Sequence, residues 1–299
     1  MRIAGFVDLQ VNGYLGCDFT APDLVAEDFA QATDKLLAAG SAAFLATVVT
    51  APMQVYQRNL PIIAAAAGAG ELVLITVPDD RIAEVCSQLS GKQAFAPGTI
   101  VAQCSGALSS EVLASARDEC CCLIGSMHPL QTFPTVESAV GRLPGSWCFC
   151  EGDETAVACL MRLAEAIGAR AARITPAGKA VYHAAAVVAC NYLVALMDAA
   201  AALAQRAGLD RQTWLLAVEP MVRAGMENVL AIGPEKALTG PVARGDIQTI
   251  RRHLDALAGA DDGLRALYAA CGRQAVELAL RAGKISADAA AEMTEMFTM

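Results

Sequence analysis

Residues 5–16 read GFVDLQVNGYLG. A strand that runs into a glycine turn has two readings, the phosphate cradle of a nucleotide-binding unit or the opening strand of a metal-dependent hydrolase barrel. The two predict different chemistry, and the rest of the chain has to decide between them. From residue 1 to about 176, apolar strand-like runs (GFVDLQV, AAFLATVV, ELVLITV, GTIVAQC, CCLIGSM, WCFCEG, AARIT) alternate with helix-like runs such as PDLVAEDFAQATDKLLAAG, MQVYQRNLPIIAAAAGAG, RIAEVCSQLSG, EVLASARDE and TAVACLMRLAEAIGA. That alternation predicts an α/β domain with a mostly parallel sheet and crossover helices.

After Pro176 the period changes. One long helical stretch runs from Ala177 to about Gly208, followed by helices at about 211–231, 246–259, 262–282 and 286–297, with no strand signal among them. The expected domains are therefore 1–176, α/β, and 177–299, all-helical, with TPAGK (175–179) at the boundary.

A net charge of −9 argues against nucleic acid as a partner. Apolar stretches read as broken by polar or charged residues before membrane-spanning length, and the N-terminus lacks a signal-peptide pattern, so no membrane is expected and the setting reads as cytoplasmic. The eleven cysteines show no CxxC spacing and read as reduced, mostly buried thiols; the triplet Cys120-Cys121-Cys122 reads as one end of a buried strand.

Two resemblances follow from specific words. GFVDLQVNGYLGCDF, LLAAGSAAFLATVVTAP and VYQRNLPIIAAAA, within residues 5–67, resemble the first βαβα unit of N-acetylglucosamine-6-phosphate deacetylases, which are TIM-barrel enzymes. LVLITVPDDRIAEV, CSGALSSEVL, GSMHPLQTF, KAVYHAAAVVACNYLVAL and GPEKALTGPVARGDIQTIRRHLDAL, within residues 71–282, resemble an uncharacterised Rossmann-like family related to ketopantoate reductase, pyrroline-5-carboxylate reductase and the β-hydroxyacid dehydrogenases. The chain thus reads as a hybrid, natural or engineered, in which a barrel's opening unit stands where a dinucleotide-binding domain begins.

The second resemblance implies an NAD(P)-dependent oxidoreductase acting on a small acid or imine. Related β-hydroxyacid dehydrogenases use a lysine as general acid and an asparagine as substrate anchor at the start of the long helix. Lys179 matches the first, and His183 stands in place of the second. Helical spacing sets Lys179, His183, Cys190 and Asn191 along one face, and Lys179, His183, His128 and Asn191 are the catalytic candidates. Replacing Lys179 by Ala is expected to spare folding and remove turnover.

Strand ends supply the cofactor candidates: Val77-Pro78-Asp79 and Ser105-Gly106 at the carboxyl edge of the sheet, and Gly13 in the first turn. Asp79 or Asp80 could equally cap the helix that follows. Thr239 and Arg244, in a turn before a helix capped by Asp246, are the substrate candidates, while His253 reads as solvated or structural. The turn Asn12–Gly16 lacks the G-x-G-x-x-G spacing, so NAD(P) should be held weakly or not at all. A catalytically silent scaffold is the alternative. A metal-dependent deacetylase-like hydrolase is the least favoured reading, because Gln10 and Asn12 stand where an HxH pair would be and only three histidines exist. No metal is expected. The helical region, like that of related dehydrogenases, is expected to form a homodimer.

Overall fold

The computed structural model describes residues 6–39, 41–46, 54–55, 58–59, 62–63, 72–133 and 141–298. Backbone contacts divide the chain into two compact units, Met1–Cys190 and Asn191–Met299.

The first unit opens with β1 (Phe6–Val11), a hairpin of β2 (Gly13–Tyr14) and β3 (Cys17–Asp18), α1 (Ala26–Ala38) and β4 (Ser41–Ala46). β4 lies parallel to β1, with α1 in the crossover between them. Beside this pair, Phe19, Leu24, Phe29, Ala32, Leu36 and Ile63 form a small core. Asn59, fully buried, donates from Nδ2 to the carbonyls of Phe19 and Ala21 at 3.0 and 2.8 Å, tying the segment after the hairpin to a later one. Most of the helix expected at MQVYQRNLPIIAAAAGAG lies outside the described residues.

A five-stranded sheet follows in the order β5 (Leu72–Ile75), β6 (Ile100–Gln103), β7 (Leu123–Leu130), β8 (Trp147–Gly152) and β9 (Arg170–Arg173). It is parallel except for the β7–β8 pair. Among the described residues, β1 and β4 pair with each other and form a sheet separate from these five. The connecting helices are α2 (Asp79–Gly91), α3 (Ala114–Cys120) and α4 (Glu154–Ala166).

Strand alternation sorts the faces of the sheet. Cys148, Cys150, Met127 and Ala102 pack with Val157, Leu160 and Ala164 of α4. Ile124 and Val101 pack with Ile82, Val85 and Leu89 of α2. Two sequence expectations shift here. The cysteine triplet is not a strand end: Cys120 closes α3, Cys121 is the left-handed C-cap at φ 55°, and only Cys122 leads toward β7. His128-Pro129 lies inside β7 rather than after it, because antiparallel pairing with β8 carries the strand on to Leu130.

The expected long helix begins with a 3₁₀ turn (Pro176–Gly178), continues as α5 (Lys179–Ala186), passes through a π-helical turn (Val187–Asn191) and resumes as α6 (Tyr192–Arg206). Against expectation, Pro176–Arg206 is long and apolar enough to cross a membrane by length and composition, and little of it is buried. The second unit adds α7 (Arg211–Ile232), two short helices α8 (Pro234–Ala237) and α9 (Gly240–Ala243), then α10 (Ile247–Leu257), α11 (Asp262–Arg281) and α12 (Ala287–Met296). Its core gathers Ile250, Val276, Met293, Met296 and Phe297.

Candidate functional site

The chemistry-bearing residues of the first unit meet on one face of the β7–β8 pair. Ser126 lies opposite Glu151 and His128 opposite Phe149, and alternation puts all four on the side away from the α4 core. Helix α5 lies on that side with residues at i, i+3 and i+4. Its first turn places Lys179 against Ser126 and Glu151. Its next turn places Tyr182 and His183 against His128.

The first layer is a closed polar network. Lys179, 1% exposed, donates from Nζ to Ser126 Oγ and, at 3.1 Å, to Glu151 Oε1. Glu151, equally buried, also accepts from the backbone N–H and the hydroxyl of Ser110, each at 2.8 Å. Burial pulls the Lys179 ammonium below its ordinary value, with Glu151 opposing the shift. Desolvation also pushes Cys104 to about 11 and Cys150 to about 12, which keeps both thiols protonated and unreactive. The expectation that Lys179→Ala spares folding does not survive this geometry, since the substitution would leave a buried carboxylate without its cation.

The second layer is half-open. His128 Nδ1 lies 2.9 Å from the Tyr182 hydroxyl, and the His128 and His183 rings meet edge to face at 5.8 Å. Both imidazoles close over Gly106: a Cβ there would overlap His183 Cδ2 and lie 2.8 Å from His128 Nε2. Only a residue without a side chain lets the β6 edge approach the two rings. Burial, reinforced by His183 and Lys179, lowers His128 to about 4, so it is neutral at pH 7.

The unfolded chain therefore binds a proton at this position between about pH 6.5 and 4 that the folded chain does not, and stability falls as pH drops through that window. The full shift would correspond to about 3 kcal/mol, reduced by partial exposure and screening to about 1–2 kcal/mol. Urea unfolding near pH 7 and near pH 5 is expected to show this loss in the wild type and a smaller one in His128→Gln.

The strand ends beside these rings are already satisfied. Ser105 Oγ donates to Asp79 Oδ2 at 2.6 Å and accepts from the amides of Ala107 and Leu108 at 3.1 and 3.0 Å; its own amide is bound by Gln103 Oε1. Asp79 thus serves Ser105. The N-cap of α2 is Pro78, and no side chain caps it. Gly13 sits in the β2–β3 hairpin, where a Cβ would overlap Cys17 O and lie 3.0 Å from Asp18 Cα. The first helix starts only at Ala26, so no helix N-terminus follows that turn directly.

The amides of Ser105, Ala107 and Leu108 are occupied internally, and Gly13 packs against its own hairpin. Val77 and Pro78 remain at the end of β5, half-buried and exposed respectively.

The other candidates belong to the second unit or its start. Asn191 ends the π-helical turn and is exposed, as is Cys190; the wider turn interrupts the α-helical phase that had put them in line with Lys179 and His183. Thr239 is the N-cap of α9, Arg244 its exposed C-cap, and Asp246 caps α10 by accepting from the Thr249 amide at 3.0 Å. His253 bonds Tyr268 at 2.8 Å. Glu151, Tyr182, Gln103 and Ser126 were missed by motif reading. For Glu151, Ser126 and Gln103 the signal was strand alternation, as WCFCEG puts Phe149 and Glu151 on the face opposite Cys148 and Cys150; for Tyr182 it was its place three residues after Lys179 on the same helix.

The fold is a Rossmann-like α/β domain followed by a helical region. Residues 25–129 match a Rossmann-like domain, and residues 146–275 match the family described as a domain of unknown function, DUF2520. Among solved structures, the Thermotoga maritima protein TM1727 is 24% identical, with a TM-score of 0.61 over 92% of this chain and 99% of that one. A Bacteroides fragilis protein provisionally named an NADP oxidoreductase is 19% identical, with a TM-score of 0.56 over 90% of this chain and 96% of its own. At these identities the likeness is one of fold. The opening segment is separately similar to the Bos taurus N-acetylglucosamine-6-phosphate deacetylase, 40% identical over 58 residues; the match covers 19% of this chain and only 14% of that enzyme.

Proposed function

We propose that the chain is an oxidoreductase-like protein of the β-hydroxyacid dehydrogenase and ketopantoate reductase type with a degraded dinucleotide site. NAD(P) is held weakly or not at all, while the wall that would face a small acid or imine persists. The observation that carries this reading is the meeting of His128, Tyr182 and His183 over Gly106 at the carboxyl edge of the sheet, where open α/β folds bind their ligands. His128 and His183 are the proton-handling candidates of the open layer, and Lys179 is the strut that seats α5. Asn191, Thr239 and Arg244 remain substrate-side candidates in the second unit.

The catalytically silent scaffold is the second reading, favoured by the hairpin that occupies the first βα connection. Both readings include an opening segment acquired by recombination and a reducing, cytoplasmic setting, which suits eleven free cysteines. The deacetylase reading has no comparable support: among the described residues no three His, Cys, Asp or Glu side chains gather where a metal could sit.

We further propose a homodimer through the helical region. Val194 on α6 and Leu216, Met221 and Leu230 on α7 are each about two-thirds or more exposed, and large apolar side chains left open on these helices are candidates for burial against a partner. On α7 they are interleaved with the ion pair Arg223–Glu219, which a second protein copy accommodates and a bilayer core does not.

Titrating NADPH and NADH into the full chain, followed by cofactor fluorescence, tests the functional reading. The expected result is no saturation below about 1 mM, a binding free energy weaker than about 4 kcal/mol. Saturation in the micromolar range would overturn the degraded site and restore a working reductase.

A further inference from the structure

We propose that Tyr182 is a positioning residue that holds His128 in its Nε2–H tautomer, making His128 an uncharged hydrogen-bond donor to a carbonyl oxygen or imine nitrogen at the sheet edge. This deepens the small-acid-or-imine reading above and rests on it for the identity of the ligand, though not for the tautomer.

The argument is one of donors and acceptors. A neutral imidazole has one nitrogen that donates and one that accepts. His128 Nδ1 is 2.9 Å from the Tyr182 hydroxyl, and among the described residues that is the hydrogen bond each of these groups makes. Were Nδ1 to carry the proton, it would donate to the phenol oxygen, and the phenol's own proton would be left without an acceptor. With the proton on Nε2, Tyr182 O–H donates to Nδ1 and both groups are served. Tyr182 keeps that proton firmly, since burial raises it to about 12.

Packing fixes the pair. The Tyr182 ring lies 4.7 Å from that of Phe149, the cross-strand partner of His128, and one helical turn earlier Lys179 anchors α5 to the same two strands. The charged and titratable groups around His128 are His183 and Lys179 from α5 and Asp79 from the start of α2. The first two disfavour the imidazolium and Asp79 opposes them; burial, the largest effect, decides for the neutral ring. Nε2 has no hydrogen-bond partner among the described residues and lies at Gly106, beside His183, so its N–H is the donor left over for a ligand. A neutral imidazole that donates in this way polarises a carbonyl without adding a charge.

Three histidines in the whole chain make a direct test practicable. In full-length protein labelled with ¹⁵N at its imidazoles, long-range ¹H–¹⁵N correlation reads each ring's tautomer, and His128→Gln assigns the His128 signals by their loss. The expected wild-type result is a single Nε2–H form at neutral pH; in Tyr182→Phe the ring should become a mixture of the two tautomers. An Nδ1–H form in the wild type, or a Tyr182→Phe spectrum unchanged in tautomer, would overturn the proposal. An Nδ1–H wild-type spectrum overturns the proposal whether or not the variant folds, and the change of tautomer in Tyr182→Phe is what ties the Nε2–H form to Tyr182. Neither readout needs cofactor or turnover, so failure of the reductase reading leaves this result standing and the reverse also holds.

Discussion

Lys179→Met is expected to destabilise the protein by about 3–5 kcal/mol, the range for removing one partner of a buried ion pair. Lys179 and Glu151 are each 1% exposed, so water cannot replace what the ammonium provides. Ser110 still offers Glu151 two hydrogen bonds at 2.8 Å, but the carboxylate's charge would have no counterion, and Ser126 would lose its donor. The double variant Lys179→Met/Glu151→Leu should recover most of the loss, because apolar side chains of similar size often replace a buried pair at little net cost. Urea unfolding with a fixed m-value measures both. A single variant within about 1 kcal/mol of wild type would show that the ammonium is not needed where it lies, and would reopen Lys179 as a group that moves to meet substrate.

The same pair shows what the sequence could convey. The alternation of strands and helices, and the run of helices after residue 210, were legible because period 2 and period 3.6 are local properties. The lysine at the start of α5 was found by resemblance, yet its partner was not. Glu151 reads as a strand-end acid until β8 is known to run antiparallel to β7, which sets it opposite Ser126. Register between strands is a long-range fact that no single window contains.

Gly13 illustrates the converse. The turn Asn12–Gly16 looked like a defective phosphate loop, whereas in the fold Gly13 pairs with Asp18 across a two-residue-strand hairpin, and the helix waits until Ala26. Asn191 was misplaced in phase because the π-helical turn at Val187–Asn191 adds to the helix in a stretch, VVACN, with no proline or glycine to announce it.

The second large effect is expected at the helical face. Wild-type protein should sediment as a dimer, twice the 31.0 kDa of one chain, and Leu216→Asp with Leu230→Asp should sediment as a monomer. Leu216 and Leu230 are 66% and 79% exposed, so within one chain neither substitution removes much packing, and folding should be spared. In a dimer each would put a carboxylate into a desolvated contact. At about 2 kcal/mol or more apiece, the pair weakens association by at least about a thousandfold. The alternative occupant is a bilayer, suggested by the length and mean hydropathy of Pro176–Arg206. The two separate cleanly by ultracentrifugation. A wild-type chain that stays monomeric at about 10 μM, or that leaves the membrane fraction only with detergent, would defeat the dimer. A soluble dimer split by the two aspartates would locate its interface on α7, the helix that carries the exposed Arg223–Glu219 ion pair.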